Sequence, residues 1–458
     1  MIPFEEVTLR GRPRQRVLVV APHPDDECLG VAGLMWTAVA AGHDVHVVFL
    51  TSGDGFVQEA QRYYLSLAVS PEEYLHLGYE RQKEAVAALG SLGIPRRHIH
   101  FLGFPDGGLD ALYRTHWETA WESPTTRVLR VPYLNASGGA LEYRGHILHD
   151  AVQRLMTLIA PTLLVMPHPL DGHPDHWATH SFGSLALLAC RAAGLAWARH
   201  TERLNYLIHW ATWPKPIGLH TYLEQTPPPS LIGGGRRWRR LNLSPEAIDA
   251  KLGTLTAYSS QMELIKPYML AFVRASEVFA WDPVRQVQAG KASDPRHPDW
   301  GWEPGIIPVF QNPHDEFMRR VTGNGNAIEQ LDLRRDREHG YLRLSWAPRR
   351  DADWDVVVRM HVAGGYAPWT WQVNLKSGDV RGEAGAEVRI VLDRETRQVA
   401  ASWPLAAWQG GRLTMVGAEA VDEDRVIGRT GYLACQWGGE PTRETLTGSH
   451  VRGKPASP

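Results

Sequence analysis

Two short clusters of histidines and acids in this sequence have the residue types that bind divalent metal ions. The first is the segment HPDDE at residues 23–27, and the second is the segment PLDGHPDH at residues 169–176. Acids packed this closely repel one another, and a divalent cation neutralises them far better than a helix N-terminus does. A catalytic zinc ion takes three histidine or carboxylate ligands and leaves the fourth position to water. Such clusters therefore predict metal-assisted hydrolysis.

One set of residues within the two clusters fits a catalytic zinc site. His23, Asp26 and His176 would be the three ligands, which places Asp25 and His173 near the open position. A carboxylate there can take a proton from water, and an imidazole can donate a hydrogen bond to the oxyanion that forms. Either cluster alone is explained as well by acids at a helix start, but the pair favours a metal.

Other polar residues near the clusters have more than one interpretation. Glu27 either complements the helix dipole or supports the metal site, and Asp54 is either a supporting acid or a turn residue. His180 follows His176 by one helical turn, but a fourth protein ligand would close the site to water, so we expect none. Four histidines lie in or beside strands, and we predict that most of them are partly buried and hydrogen-bonded within the protein: His43, His46, His168 and His209.

Each cluster follows a short apolar run and precedes a helical pattern. The runs Arg16–Ala21 and Thr162–Met166 are typical of buried strands in a parallel sheet, and the helices Leu29–Ala41 and Trp177–Gly194 follow them. The same alternation recurs in the strands Val45–Leu50 and His98–Leu102 and in the helices Glu80–Leu92 and His146–Ile159. The sequence therefore predicts an α/β domain, with a Rossmann-like, mainly parallel sheet and flanking helices, whose strand ends bring the clusters together.

After about residue 285 the pattern changes to short strands without helices. Residues 354–362 (WDVVVRMHV) place apolar side chains at every second position, which predicts a C-terminal antiparallel β-sandwich domain. Its tryptophans fall in phase with aliphatic neighbours, so we expect them in the core rather than on a sugar-binding surface: Trp346, Trp354, Trp371 and Trp437. The predicted domains are residues 1–290 and 309–445, with a linker at 291–308 and a flexible tail at 446–458.

Composition excludes several classes of protein. The chain has 458 residues, and 48 lysines and arginines against 50 acids give a net charge of −2, so nothing favours a nucleic-acid or membrane-surface partner. Three scattered cysteines fit a reducing compartment. We find no signal-peptide pattern and no stretch that could span a membrane, and we expect a cytoplasmic protein. The basic run Arg236–Arg240 is expected to be a solvated surface loop or, alternatively, a loop that selects an acidic substrate.

The two clusters together resemble the PIG-L/LmbE family of zinc-dependent N-acetylglucosaminyl de-N-acetylases. Two further parts are similar to the family pattern: the helix start RQKE at 81–84, which leads into FLGFPDG at 101–107, and residues 251–261, which end in YSSQ. The resemblance covers about residues 14–285 and leaves out the β-rich part. The fold that it implies agrees with the alternation of strands and helices.

The resemblance implies a role for each matching residue of the catalytic machinery. The three metal ligands would be those named above. Asp25 would be the general base, which later returns its proton to the leaving amine. His173 would be a cationic electrophile on the amide oxygen, held by Asp175.

The resemblance also implies which residues contact the substrate. Arg81 and Asp106 would hold sugar hydroxyls. Some family members carry a tyrosine two positions before the residue that matches His173, where this chain has Asp171. The oxyanion role of such a tyrosine is therefore absent, and Asp171 would bind substrate or stiffen its loop.

The predicted function is that of a zinc-dependent amidohydrolase that removes an N-acetyl or N-acyl group from an amino sugar or a glycoconjugate. Zinc is the expected cofactor, although such a ligand set also accepts iron, cobalt or manganese. Two alternatives remain open: the same chemistry on a non-sugar amide, and a carbohydrate-binding protein whose β domain carries the role.

Overall fold

The computed structural model describes residues 4–232, 237–287, 289, 310–311, 327–347, 353–365, 368–383, 388–408, 412–423 and 425–438. The chain forms two compact units, one that ends at Asp282 and one that begins at Pro283. The predicted linker at 291–308 and the predicted tail at 446–458 lie outside the described residues. The domain boundaries near residue 290 stay a prediction.

The first unit is built on one eight-stranded sheet. Its strands are β1 (Glu5–Glu6), β2 (Arg16–Ala21), β3 (Asp44–Thr51), β4 (Ile99–Phe104), β5 (Leu163–Pro167), β6 (Glu202–Tyr206), β7 (Arg237–Asn242) and β8 (Ser276–Trp281). In the order β1-β7-β8-β6-β5-β2-β3-β4, neighbouring strands are parallel apart from the two pairs that β8 makes. The predicted α/β class with a mainly parallel sheet is therefore confirmed.

Helices accompany the sheet, as the alternating pattern predicts. They are α1 (Asp26–Ala40), α2 (Val57–Tyr63), α3 (Pro71–Ser91), α4 (Leu109–Arg114), α5 (Gly145–Ile159), α6 (Pro174–Ala192), α7 (Ala196–His200), α8 (Pro245–Ala257) and α9 (Ser259–Leu270). The pattern at 80–92 predicts only the second half of α3. That helix begins earlier because Ser70 and Glu73 form a capping box, in which each side chain accepts the backbone N–H of the other residue.

The strand order reverses between β2 and β5, which are neighbours in the sheet. From β2 the chain continues to β3 and β4 on one side, whereas from β5 it continues to β6 on the other side. In open α/β sheets, ligands bind in the crevice at such a reversal, beyond the carboxyl ends of the strands. The segments HPDDE and PLDGHPDH follow β2 and β5, so the topology brings both clusters to this crevice.

A buried ion pair joins helix α8 to strand β8. Lys251 Nζ lies 2.6 Å from Glu277 Oε1 and 2.8 Å from the backbone oxygen of Leu29, and both charged side chains are 2 % exposed. The same carboxylate accepts the backbone N–H groups of Gly33 and Leu34, each at 2.9 Å. The cation and its hydrogen bonds therefore compensate a charge that would otherwise be costly to bury.

Lys251→Met is expected to lower the free energy of unfolding by about 3–5 kcal/mol, because it leaves the Glu277 carboxylate buried without its cation. Chemical denaturation followed by circular dichroism measures the change, and adding Glu277→Gln should recover most of it. An exposed pair provides the control: Arg62 lies 3.4 Å from Glu263, and Arg62→Met should cost no more than about 1 kcal/mol. Equal losses in the two single variants would contradict the expectation.

The basic run near residue 237 is wrongly predicted as a loop. Residues 233–236 lie outside the described part of the chain, but Arg237–Asn242 forms strand β7. Arg239 and Arg240 make ion pairs with acids from other segments of the chain. Those acids are Glu5, Glu202 and Glu224. Because these cations are neutralised within the protein, the strand offers little free positive charge to a substrate.

The second unit contains two sheets. Its strands are β9 (Arg285–Gln286), β10 (Phe310–Gln311), β11 (Ile328–Arg335), β12 (His339–Trp346), β13 (Asp355–Val362), β14 (Trp369–Asn374), β15 (Val380–Glu383), β16 (Arg389–Asp393), β17 (Gln398–Pro404), β18 (Leu413–Asp422), β19 (Arg425–Arg429) and β20 (Leu433–Gln436). One sheet has the order β10-β11-β12-β17-β16, and the other has the order β15-β14-β13-β18-β20-β9, with β19 paired to β18. Among the described strands, the neighbours are antiparallel apart from β20 and β9.

The β-rich C-terminal part of the predicted fold class is therefore confirmed. Its four in-phase tryptophans are at most 5 % exposed, as a position in the core requires. Within the described residues of the whole chain, no helix combines the length and the apolar composition that a membrane crossing needs. The three cysteines are buried, and none forms a disulfide within the described residues.

Candidate functional site

The two predicted clusters meet at the carboxyl ends of β2 and β5, with His23 at their centre. His23 Nδ1 lies 3.0 Å from Asp26 Oδ2, and His23 Nε2 lies 3.0 Å from Asp106 Oδ1 and 3.1 Å from Asp175 Oδ2. Asp106 follows β4, and Asp175 lies in the first turn of α6. Three separate segments of the chain thus converge on one imidazole that is only 8 % exposed.

Asp26 links the two predicted histidine ligands. Its Oδ2 atom lies 3.1 Å from His176 Nε2 and 3.0 Å from His23 Nδ1. All three side chains are buried, and one ligand atom from each lies within 4.8 Å of the others. Among the described residues, neither nitrogen of His176 has a partner with hydrogen-bond geometry. Buried polar atoms are normally satisfied, so this set of two imidazoles and a carboxylate fits a metal ion.

The charges around the two imidazoles also favour a cation. Burial by itself lowers the pKa of His176, but nearby carboxylates, Asp26 above all, raise it to about 10. The pKa of His23 is likewise raised well above its ordinary value, against the effect of burial, and Asp106 contributes most. The carboxylates therefore stabilise positive charge at both imidazoles, and a divalent cation can supply that charge in place of the protons.

His173 and Asp175 form, with His23, a second group whose ligand atoms lie within 4.8 Å of one another. The His173 ring contacts the backbone of Asp175, whereas the resemblance would imply a contact with its carboxylate. His173 Nδ1 accepts the backbone N–H of Asp175 at 3.2 Å. The carboxylate instead accepts the N–H groups of Gly107 at 2.7 Å and Leu109 at 3.0 Å. Asp175 therefore connects the loop after β4 to helix α6 through these two hydrogen bonds.

The backbone contact decides the form of the His173 imidazole. A ring nitrogen that accepts an N–H carries no proton, so the hydrogen-bond network assigns the neutral ring with its proton on Nε2. Burial lowers the pKa of His173, and the neighbouring rings of His23 and His176 lower it further. His173 is thus suited to donate a hydrogen bond from Nε2 as a neutral group.

Asp25 has a backbone conformation that is rare for residues other than glycine. Its φ is 116° at the N-cap of α1, a strain that costs on the order of 1–3 kcal/mol and is concentrated at functional sites. Glu27 holds this conformation, because its Oε2 atom accepts the Asp25 N–H at 3.0 Å. The other carboxylate oxygen of Glu27 accepts the Tyr258 hydroxyl at 2.5 Å. Glu27 therefore fits the interpretation of an acid that supports the site better than that of an acid that complements the helix dipole.

Arg81 lies beside Asp25 and is 3 % exposed. It donates to the backbone oxygens of Gly53 at 3.0 Å and Pro24 at 2.6 Å, and its Nη2 atom lies 3.5 Å from Asp25 Oδ2. Glu59 provides a further carboxylate at 3.5 Å. The guanidinium thus holds the loops after β2 and β3 through its two Nη atoms, whereas its Nε atom is buried without a hydrogen-bond partner among the described residues.

Asp106 is held by the loop that follows β3. Its Oδ2 atom accepts the N–H of Gly55 at 2.8 Å, while its Oδ1 atom faces His23. Asp54 accepts the Asp106 N–H at 3.4 Å and the Tyr133 hydroxyl at 2.5 Å. Burial raises the pKa of Asp54 to about 7. Asp54 is therefore a buried supporting acid rather than an ordinary turn residue.

Asp171 is 4 % exposed, and its oxygens are occupied by the protein. Oδ1 accepts the N–H of His173 at 3.0 Å, and Oδ2 accepts the N–H groups of Ile208 at 2.9 Å and His209 at 3.1 Å. Oδ2 also lies 3.4 Å from His176 Nδ1. These contacts favour the second of the two expectations for Asp171, namely that it stiffens its loop, and they place it where it orients the His176 ring.

His209 lies at the site, which sequence reasoning missed. Its ring centroid is 4.7 Å from that of His176 and 5.2 Å from that of His173. It follows β6, the neighbour of β5, so its position after a strand at the same sheet edge was the available signal. Burial lowers its pKa to about 3, and His176 adds to the effect. The His209 ring is therefore neutral beside the candidate ligand His176.

The remaining histidines of the clusters and strands do not reach the site. His180 uses both ring nitrogens in hydrogen bonds elsewhere, at 2.9 and 3.3 Å, as expected of a residue that is no ligand. His43 and His168 accept backbone N–H groups, also as expected. His46 is partly buried but differs from these two, because it stacks on His98 at 3.9 Å and its buried Nδ1 has no hydrogen-bond partner among the described residues.

Comparison with known protein families identifies the same part of the chain. Residues 18–187 match the model of a family described as PIG-L, GlcNAc-PI de-N-acetylase. This segment begins within β2 and ends within α6. It therefore contains both clusters and the loop after β4.

Several curated proteins are similar to the chain over a comparable length. A 1D-myo-inositol 2-acetamido-2-deoxy-alpha-D-glucopyranoside deacetylase of Mycolicibacterium smegmatis is 32 % identical over 183 residues, which are 39 % of this chain and 55 % of the relative. Proteins with the same name from Mycobacterium sp. strain KMS and Salinispora arenicola are 33 % and 26 % identical, over 38 % and 45 % of this chain and 50 % and 58 % of the relatives. The chain thus spans about half the length of the curated relatives that it matches. Residues 18–187 are, on this evidence, a domain of the PIG-L family.

Proposed function

We propose that this protein is a metal-dependent N-deacetylase that hydrolyses the acetamide of an N-acetylglucosaminyl compound. The observation that carries the proposal is the buried group His23, Asp26 and His176 at the reversal of strand order, with Asp25 beside it. The relatives are named as deacetylases of an acetamidoglucosyl inositol, which supports a small amino-sugar conjugate as the substrate.

Zinc is the metal that we propose for this group. Two imidazoles and one carboxylate are a common ligand set of catalytic zinc, and the same set also suits Fe²⁺. A zinc ion held by His23, Asp26 and His176 supplies Lewis acidity toward water and toward the amide carbonyl.

Asp25 is the proposed general base. Its side chain lies next to the proposed ligand Asp26 and is held in place by Arg81 and by the strained backbone. The carboxylate takes a proton from the attacking water and delivers it to the amine nitrogen as the C–N bond breaks. His173 donates its Nε2 hydrogen to the amide oxygen as that atom becomes negative. This donor is a neutral imidazole, unlike the cation that the family resemblance implies.

The proposed contacts with the sugar also differ from those that the family resemblance implies. Arg81 donates to two backbone oxygens and Asp171 accepts backbone N–H groups, so we propose that they position Asp25 and His176 respectively. Asp106 is 8 % exposed and each of its oxygens can accept a further hydrogen bond. Asp106 therefore remains the proposed partner of a sugar hydroxyl.

Release of free amine by the zinc-loaded chain tests the proposal. The substrates are N-acetylglucosamine, its conjugates with inositol and phosphatidylinositol, and N-acetyl-lysine as a non-sugar amide. We expect release from a glucosaminide that a chelator abolishes and that added zinc restores. Release from N-acetyl-lysine alone would replace the sugar by a non-sugar amide, and no release from any substrate would contradict the proposed function. The carbohydrate-binding alternative has less support because the four in-phase tryptophans of the β-rich unit are in its core.

Tyr258→Phe removes the hydrogen bond to Glu27, the residue that holds the backbone of Asp25. We expect kcat to fall about tenfold and KM and metal content to stay unchanged. A hydrogen bond to a charged group contributes about 1.5–3 kcal/mol, and part of that free energy positions Asp25. Steady-state kinetics on the identified substrate measure kcat and KM separately. Tyr143→Phe is a matched control, since Tyr143 is also buried and donates to the backbone oxygen of Gly103 at 3.2 Å. A similar loss in both variants would show a general packing effect rather than support of Asp25.

A further inference from the structure

A cavity in the second unit combines positive charge with an apolar wall. It encloses about 830 Å³, which is within the range of small-molecule sites. Arg335, Arg337 and Arg412 line it together with Trp437 and Leu405. Every lining residue belongs to the second unit, so the inference below is independent of the proposed deacetylase function.

The three arginines of the cavity have no acidic partner among the described residues. Arg335 ends β11, Arg337 follows it in the turn to β12, and Arg412 directly precedes β18. No carboxylate of the described chain forms an ion pair with any of them. The Nε atom of Arg335 is buried without a hydrogen-bond partner. Among the described lining residues Glu338 is the only acid, so these residues carry an excess of two positive charges.

Two other arginines of the same unit are paired with acids. Arg343 lies 3.0 Å from Asp332, and Arg359 lies 2.6 Å from Glu419. Arg335 is partly buried and has no such partner among the described residues, whereas Arg337 and Arg412 are exposed. The cavity therefore brings together three guanidinium groups that have no carboxylate partner among the described residues, and a ligand with negative charge would pair with them.

The turn that carries two of these groups is fixed in the folded protein. Asp336 Oδ1 accepts the N–H groups of Glu338 at 2.8 Å and His339 at 2.7 Å. The Tyr341 hydroxyl donates to the other oxygen of Asp336. Because the turn is already ordered, little conformational entropy remains to be lost when a ligand binds.

We propose that this cavity binds a small molecule through an oxyanion, either a phosphoryl or a carboxylate group. Guanidinium groups present parallel N–H donors that match such oxyanions. Trp437 and Leu405 add apolar atoms to the lining, beside which the uncharged part of the ligand can lie. The cavity thus recognises a charged small molecule and not a neutral sugar.

Isothermal titration of the full-length chain tests the proposal with four probes. They are inorganic phosphate, glucose 6-phosphate, glucuronate and neutral glucose. We expect saturable binding of at least one anion, weakened by added salt. Arg337→Gln and Arg412→Gln should each weaken it at least about tenfold. Arg425→Gln, at an exposed arginine of β19 that does not line the cavity, is the matched control and should change nothing.

The probes also distinguish the sources of the oxyanion. Tight binding of inorganic phosphate alone assigns the site to the free ion, whereas tighter binding of glucose 6-phosphate or glucuronate assigns it to a charged conjugate. Three results would overturn the proposal: no saturable binding of any anion, binding of glucose as tight as that of its phosphate, or equal weakening by the control variant.

Discussion

Asp25→Asn is expected to reduce turnover about a thousandfold, the middle of the range that a general base contributes. The amide of asparagine cannot take a proton from water, and the substitution removes little else. Asparagine tolerates a positive φ better than most residues, so the backbone at φ 116° is preserved. The metal should stay bound, because the proposed ligands are His23, Asp26 and His176. Amine release and metal analysis on the same sample measure both effects.

The control for this variant is an aspartate outside the site. Asp44, at the start of β3, pairs with Arg14 at 2.7 Å on the protein surface. Asp44→Asn should leave both turnover and metal content unchanged. Unchanged turnover in Asp25→Asn would remove Asp25 from the mechanism, and loss of metal in that variant would make Asp25 a ligand instead of a base.

His176→Gln is expected to lower metal affinity by more than about a hundredfold, which exceeds the 10–100-fold typical of residues that only orient a ligand. Its ring faces Asp26 with a buried nitrogen that has no other partner among the described residues. Competition with a chromophoric chelator measures the affinity, and circular dichroism verifies the fold. Asp26→Asn provides a second ligand variant with the same expected direction.

His173→Gln distinguishes the two overlapping groups of ligand atoms. If the metal is held by His23, Asp26 and His176, this variant keeps its metal and loses turnover. If the metal is held by His23, His173 and Asp175, the variant loses its metal while His176→Gln retains it. Asp171→Asn should bind the metal with an affinity about 10–100-fold lower than that of the unsubstituted protein. In the proposed site Asp171 orients His176 and does not itself bind the metal.

The sheet and the meeting of the two clusters were predictable because they depend on local patterns. Apolar runs such as Arg16–Ala21 and Thr162–Met166 identify buried strands, and helices between them require a parallel arrangement. Once both strands are parallel members of one sheet, the residues after them lie at one edge. The proposed ligands could therefore be brought together without knowledge of the side-chain packing.

The supporting contacts were not predictable, because they join residues far apart in sequence. Tyr258 reaches Glu27 across 231 positions, and nothing in either local pattern specifies this pairing. The carboxylate of Asp175 turns toward Gly107 and Leu109 because two backbone amides after β4 need an acceptor. Strand β7 was missed for the same reason, since the acids that neutralise its arginines come from distant segments.

The region matched by the family model is shorter than the part of the chain that holds the site together. A polypeptide that ended at residue 187 would contain every proposed metal ligand. It would lack the N–H groups of Ile208 and His209 that fix Asp171, and it would lack the hydroxyl of Tyr258. It would also expose β5 as an open sheet edge, which promotes aggregation. For transplantation or fragment complementation, the smallest module that keeps these contacts therefore extends to Asp282.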